Sequence, residues 1–119
     1  MAGNVLINCA YGKNNPEEAT VAFVAANAAV TRSEATAVFL SSDAVRLVTP
    51  DYADGVQAEG YEPLKVLLNK FIEAGGKVWV CPACAKARGM TQDDLITGAT
   101  IDGVPTMLEF LEDGGITLM

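Results

Sequence analysis

The chain has 119 residues, 50% of them hydrophobic, and a net charge of −7 from 15 acidic and 8 basic side chains. That is enough chain for a real core, and residues 1–119 are read as a single domain rather than a disordered segment. The acidic balance disfavours nucleic acid as a partner, because phosphate binding needs clustered Lys and Arg.

Other classes fall away on composition. No apolar run approaches the roughly 20 residues that span a bilayer, so no membrane association is expected. Met1-Ala2-Gly3-Asn4 lacks the basic start of a signal peptide, and a cytoplasmic location with mostly reduced thiols is expected. An odd count of 3 cysteines argues against a static disulfide framework. Histidine is absent, which removes Cys–His and Ser–His nucleophile pairs and the commonest metal ligand. Zinc would need every cysteine plus a carboxylate or water. There is neither a G-x-G-x-x-G nor a Walker pattern. No metal and no cofactor is therefore expected.

Val5-Leu6-Ile7 reads as a buried first strand ending near Asn8 and Cys9, followed by the polar loop Tyr11-Gly12-Lys13-Asn14-Asn15. Pro16-Glu17-Glu18 starts a helix, with acids in its first turn as the dipole prefers. This helix runs to about Thr31 and is rich in Ala and Val almost all round. It should be covered on more than one side, and a subunit interface is one way to do so. Ala37-Val38-Phe39-Leu40 is the second strand, with Ser41-Ser42-Asp43 as the loop at its carboxyl end. Val45-Arg46-Leu47-Val48 reads as a short extra strand or a turn. Thr49 to Tyr61 carries Pro, Asp and Gly signals without a period, and so is a candidate lid or contact loop.

Leu64, Leu67, Leu68, Phe71 and Ile72 form a helical stripe, which Gly75-Gly76 ends. Lys77 to Val80 is the third strand. Asp93-Asp94-Leu95-Ile96 reads as a short helical turn and Ala99-Thr100-Ile101 as a weak fourth strand. Val104, Met107, Leu108 and Leu111 mark a last helix, ended by Gly114-Gly115, before a final strand Ile116-Thr117-Leu118. Strands alternate with helices throughout. The expected architecture is an α/β parallel sheet of about five strands with helices on both faces.

The most informative stretch is Cys81-Pro82-Ala83-Cys84-Ala85-Lys86-Ala87-Arg88-Gly89, directly after the third strand. Pro82 suits the first helical position, which puts Cys81 at or beside the N-cap. Free N–H groups there favour the thiolate, the reactive form of the side chain. Cys81 is accordingly expected to alkylate before Cys9 and Cys84. No acid lies between Glu73 and Asp93, whereas Lys77, Lys86 and Arg88 do, so an acidic chain keeps one basic segment around its C-x-x-C. Plain packing of small buried thiols and solvated Lys and Arg is the alternative. Parallel sheets bind ligands at strand carboxyl ends. If the first and third strands are neighbours, Asn8, Cys9, Ser41 and Cys81 line one crevice, with Tyr11 and the Thr49–Tyr61 loop over it.

Cys81…Arg88-Gly89 after an apolar strand, followed by Asp93-Asp94-Leu95-Ile96, resembles the DsrE/DsrF-like family of small sulfur-relay proteins. The Ile7…Gly12…Pro16-Glu17 opening and the Gly76-Lys77-Val78-Trp79-Val80-Cys81 approach are similar too. The resemblance implies a flavodoxin-like subunit that assembles into trimers or hexamers. It also implies a persulfide carried on the cysteine matching Cys81, with Arg88 and Gly89 in the same site. Donor and acceptor would then be thiol-bearing proteins. Cys84 is a second thiol that sulfur-relay members generally lack, and it opens an alternative. Cys81 and Cys84 would work as a thiol–disulfide or peroxide-reducing pair. A thioredoxin fold is excluded, since two strand–helix units precede this C-x-x-C. A non-catalytic oligomeric binding protein is the third reading.

Overall fold

Strands β1 (Val5–Cys9), β2 (Thr36–Leu40), β3 (Lys77–Val80), β4 (Ala99–Ile101) and β5 (Ile116–Leu118) form one sheet in a computed structural model that describes residues 3–119. Every pairing is parallel and the order is β4-β3-β2-β1-β5. Helices α1 (Pro16–Val30), α2 (Leu64–Glu73), α3 (Pro82–Ala87) and α4 (Val104–Leu111) connect them. The expected five-stranded α/β architecture is what the chain adopts.

The topology follows from the hand of the crossovers. Right-handed β-α-β connections from β1 to β4 all step in one direction, so α1, α2 and α3 lie on one face. The last connection returns past β1 in the opposite direction. The same hand then puts α4 on the other face. Alternation along the strands feeds the two layers. Val5, Ile7, Val38, Leu40, Val78 and Val80 point into the main core with Phe23, Leu64, Leu68 and Phe71. Leu6, Ala37 and Trp79 point the other way, against Met107, Phe110 and Leu111. Aromatic edges lock both layers, Phe23 on Phe71 at 6.3 Å and Trp79 on Phe110 at 5.1 Å between ring centroids.

Two expectations change. First, β2 lies between β1 and β3, so the shared crevice that depended on their adjacency is not formed by neighbouring strands. Each short crossover deposits its strand one place further on, and nothing in the strand sequences announces that order. Second, Val45–Val48 is neither strand nor simple turn. It belongs to a 3-10 helix, Ser42–Val48, that buries Ala44, Val45, Leu47 and Val48.

The Ala-rich helix α1 finds its cover inside the chain. Ala19, Ala22, Phe23 and Ala26 are fully buried, and the missing side-chain bulk lets α1 sit close to the sheet and to α2. Asn27 Nδ2 ties the two helices, donating to the carbonyls of Phe23 at 2.9 Å and Leu67 at 3.0 Å. Exposed apolar side chains concentrate elsewhere, with Val104 and Leu108 on α4 and Ile116 and Leu118 on β5. The segment from Thr49 to Tyr61 is a series of turns pinned by buried Ala53 and Val56.

Gly76, between α2 and β3, has no space for a side chain, because a Cβ there would collide with the ring of buried Phe71. Gly76→Ala should therefore cost about 1–3 kcal/mol of stability, read from the urea midpoint. An unchanged midpoint would mean that the ring moves aside freely.

Candidate functional site

The cysteine turn is built as an extension of the sheet. Cys81 N–H donates to the Leu40 carbonyl at 2.9 Å, which carries the β2–β3 ladder one residue past the strand. Pro82 then opens α3, and Ala85 N–H donates to the Cys81 carbonyl at 3.0 Å to close the first turn. Cys81 is thus the N-cap, and Cys84 stands one turn further on. Both are half-buried, whereas Cys9 is buried. Gly89, at φ 68, takes the left-handed conformation that ends the turn after Arg88.

The end of β2 supplies the rest of the site. Ser42 holds φ 51, a conformation that costs a non-glycine residue about 1 kcal/mol or more. Its N–H acts on the Cys84 sulfur. Arg88 reaches across to the same loop. Its Nη2 pairs with Asp43 Oδ1 at 2.9 Å, and its Nη1 donates to the Cys84 carbonyl at 3.2 Å.

These contacts sort the two thiols. Burial pushes the Cys84 thiol up, but the Ser42 N–H, the Cys81 thiol and the Arg88 charge together outweigh it, and the net shift is downward. Cys81 moves up, first through burial and then through its hydrogen bond to Cys84, although the N–H groups of Cys84 and Ala83 reach its sulfur. The sequence argument locates those helix-start N–H groups correctly. Their lowering of Cys81 is opposed by its burial and by the hydrogen bond and charge of Cys84. The pair titrates as a unit whose first negative charge rests mainly on Cys84.

Cys9 belongs to a different place. Burial, reinforced by Glu18, raises its pKa to about 11, and its thiol donates to the Tyr11 carbonyl at 3.5 Å. It lines a cleft of about 360 Å³ with Asn8, Ala10, Tyr11, Glu18 and Met119. That cleft lies where strand order reverses, between β1 and β5, and Asn8 Nδ2 bridges it to the Met119 carbonyl at 2.9 Å. Ser41 sits between the two groups, its N–H donating to the Cys9 carbonyl at 3.0 Å. The structure therefore gathers Asn8, Cys9 and Tyr11 at one point and Cys81, Cys84 and Arg88 at another, about 10 Å apart across β2. Lys86 is exposed on α3.

Tyr52 links the long loop to the site. Its hydroxyl accepts from Lys13 N–H at 2.9 Å, and the Lys13 ammonium lies 4.7 Å from the centre of its ring. Gly12 is pressed between that hydroxyl and the Asp43 carbonyl, with no space for a Cβ. Ser42 and Asp43 are the site residues that sequence reasoning missed. The polar Ser-Ser-Asp run after an apolar strand was a signal, but which of its groups meets a thiol depends on β2 lying beside β3. Among the described residues no cluster of three or more His, Cys, Asp or Glu side chains is placed to hold a metal ion. None of the described helices is long and apolar enough to cross a membrane.

A parallel α/β domain with a thiol pair at a strand end is the class this geometry defines. The profile of the DsrE/DsrF-like family matches residues 4–118, and the chain belongs to that family. It is 30% identical over 100 residues to the uncharacterised protein MJ0760 of Methanocaldococcus jannaschii, covering 84% of this chain and 36% of that protein. It is 40% identical over 47 residues to the uncharacterised protein MJ0989 of the same organism, covering 40% of this chain and 41% of that one. The matched segments thus cover less than half the length of each of these curated relatives. Among solved structures, the ychN protein of E. coli superposes with a TM-score of 0.66 at 20% identity, covering 99% of this chain and 100% of that one. MTH1491 of Methanobacterium thermoautotrophicum, a protein of unknown function, gives a TM-score of 0.66 at 15% identity, covering 99% and 98%. At these identities the likeness is one of fold.

Two outcomes follow from the charges. Below the ordinary thiol value of 9.0, Cys9 is protonated in both folded and unfolded chains, and its burial has no pH dependence. As pH rises from there to about 11, the unfolded chain loses this proton first, so stability falls. Denaturation midpoints across that window should show the decline, and Cys9→Ala should flatten it. An identical slope in both proteins would contradict the buried thiol. Second, Arg88→Gln should raise the pKa of Cys84 and slow its alkylation at neutral pH, measured with Cys81 replaced by Ser. An unmoved pH midpoint would show that the guanidinium does not act on that sulfur.

Proposed function

We propose that this domain carries sulfane sulfur as a persulfide on Cys81 and hands it to the thiolate of a partner protein. The observation that carries this reading is the placement of Cys81, a half-buried thiol at a strand end, with a second sulfur beside it to take its proton. Membership of the DsrE/DsrF-like family supports the same chemistry. The Cys81 sulfur attacks the outer sulfur of a donor persulfide, its proton passes by way of Cys84 to the departing donor sulfur, and the donor leaves as a thiol with Cys84 again a thiolate. An acceptor thiolate then attacks the outer sulfur on Cys81 and regenerates the resting pair. The N–H groups of Ala83 and Cys84 hold the charge that develops on Cys81. Arg88, occupied by Asp43, tunes the pair rather than capturing substrate, which leaves exposed Lys86 to attract an anionic donor.

Copies of the chain are proposed partners as well. Val104 and Leu108 on α4 and Ile116 and Leu118 on β5 are apolar surface that assembly into a trimer or hexamer would cover. A cytoplasmic setting fits a site that needs reduced thiols.

Reduced protein treated with thiosulfate or polysulfide should gain the mass of one sulfur atom, about 32 Da, at the earliest times sampled by intact-mass spectrometry. Cys81→Ser should abolish that gain, and Cys9→Ala should preserve it. A gain that survives Cys81→Ser, or no gain at the earliest times in both the parent chain and Cys84→Ser, would contradict the carrier role.

A further inference from the structure

A thiol that only accepts and donates sulfur needs a base beside it, not a second cysteine. Cys84 stands one helical turn from Cys81, the N-cap of α3, and both thiols are half-buried and unpaired. That spacing at a helix start lies within disulfide geometry. Two separate devices converge on Cys84, one from the loop after β2 and one from the end of α3. One is the N–H of Ser42, held in a left-handed backbone. The other is Arg88, held by Asp43 at 2.9 Å. Both act on Cys84 and neither depends on a proton at Cys81, so both still favour a Cys84 thiolate after Cys81 is loaded. A thiolate facing a persulfide within one turn of helix is a nucleophile positioned for intramolecular attack.

We propose that Cys84 discharges the Cys81 persulfide, giving this domain a second outlet in which sulfane sulfur leaves as hydrosulfide. This rests on Cys81 being the carrier. The Cys84 thiolate attacks the inner sulfur, the one bonded to the Cys81 Cβ. The bond between inner and outer sulfur breaks, and the outer sulfur departs with its proton as hydrosulfide. A Cys81–Cys84 disulfide forms. The two cysteine sulfurs are oxidised and the sulfane sulfur takes up both electrons, so no outside oxidant enters. A dithiol reductant then reopens the disulfide and is itself oxidised. The competition is set by docking: an acceptor thiolate at the outer sulfur receives it, and without one Cys84 releases it.

The test uses the full reduced chain, charged with cysteine persulfide carrying heavy sulfur at its outer atom and then desalted. Trapped hydrosulfide and intact mass are followed over time. The parent chain should release about one labelled hydrosulfide per persulfide and settle two hydrogens below its reduced mass. Dithiothreitol should restore that mass. Cys84→Ser, with Cys84→Ala beside it in case one fails to fold, should keep the labelled persulfide at least about tenfold longer. A persulfide equally long-lived in parent and variant overturns the proposal and leaves carriage by Cys81 standing. If neither protein takes up the label, carriage fails and this outlet with it.

Discussion

The thiol site depends on one adjacency, β3 lying beside β2 in parallel register. The shared ladder extends one residue beyond the strands, through the bond from Cys81 N–H to the Leu40 carbonyl. That bond fixes where α3 begins. The next residues of β2's own chain, Ser41 to Asp43, then lie against α3, so that Ser42 meets Cys84 and Asp43 meets Arg88. Had β1 been the neighbour instead, the Asn8–Tyr11 segment would have stood there, and its buried thiol would have faced Cys81.

The same arrangement explains how a chain of charge −7 supports a thiolate. No acid lies between Glu73 and Asp93, and Asp43, which the loop after β2 brings to the site, is already bound to Arg88. The remaining stabilisation comes from backbone N–H groups, which carry no net charge. Ser42 accepts an uncommon backbone conformation to point one of them at Cys84. Cys9 shows the opposite case in the same protein. Buried and close to Glu18, it stays protonated to about 11, although a backbone hydrogen bond from Tyr11 pulls the other way.

Much of this was legible in the sequence. Short apolar runs mark the five strands, Pro16-Glu17-Glu18 and Pro82 mark the starts of two helices, and apolar stripes of helical period mark the other two. Pro82 after an apolar strand locates the helix start and Cys81 at its N-cap. Strand order was not legible, since β1, β2 and β3 are all short apolar runs with no mark of who pairs with whom. For the same reason Ser42 and Asp43 stayed hidden, and Arg88 read as a free cation rather than the partner of Asp43. The cover that α2 and the sheet give α1 was not legible either, since those contacts form only once the chain folds.

The most direct test of this account is the ionisation of each thiol in the reduced protein, followed by nuclear magnetic resonance of carbon-labelled cysteine Cβ atoms across pH. The account predicts that Cys84 titrates first and below the ordinary thiol value of 9.0, that Cys81 follows above it, and that Cys9 waits until about 11. Cys81 titrating before Cys84, or the two titrating without influence on each other, would contradict it.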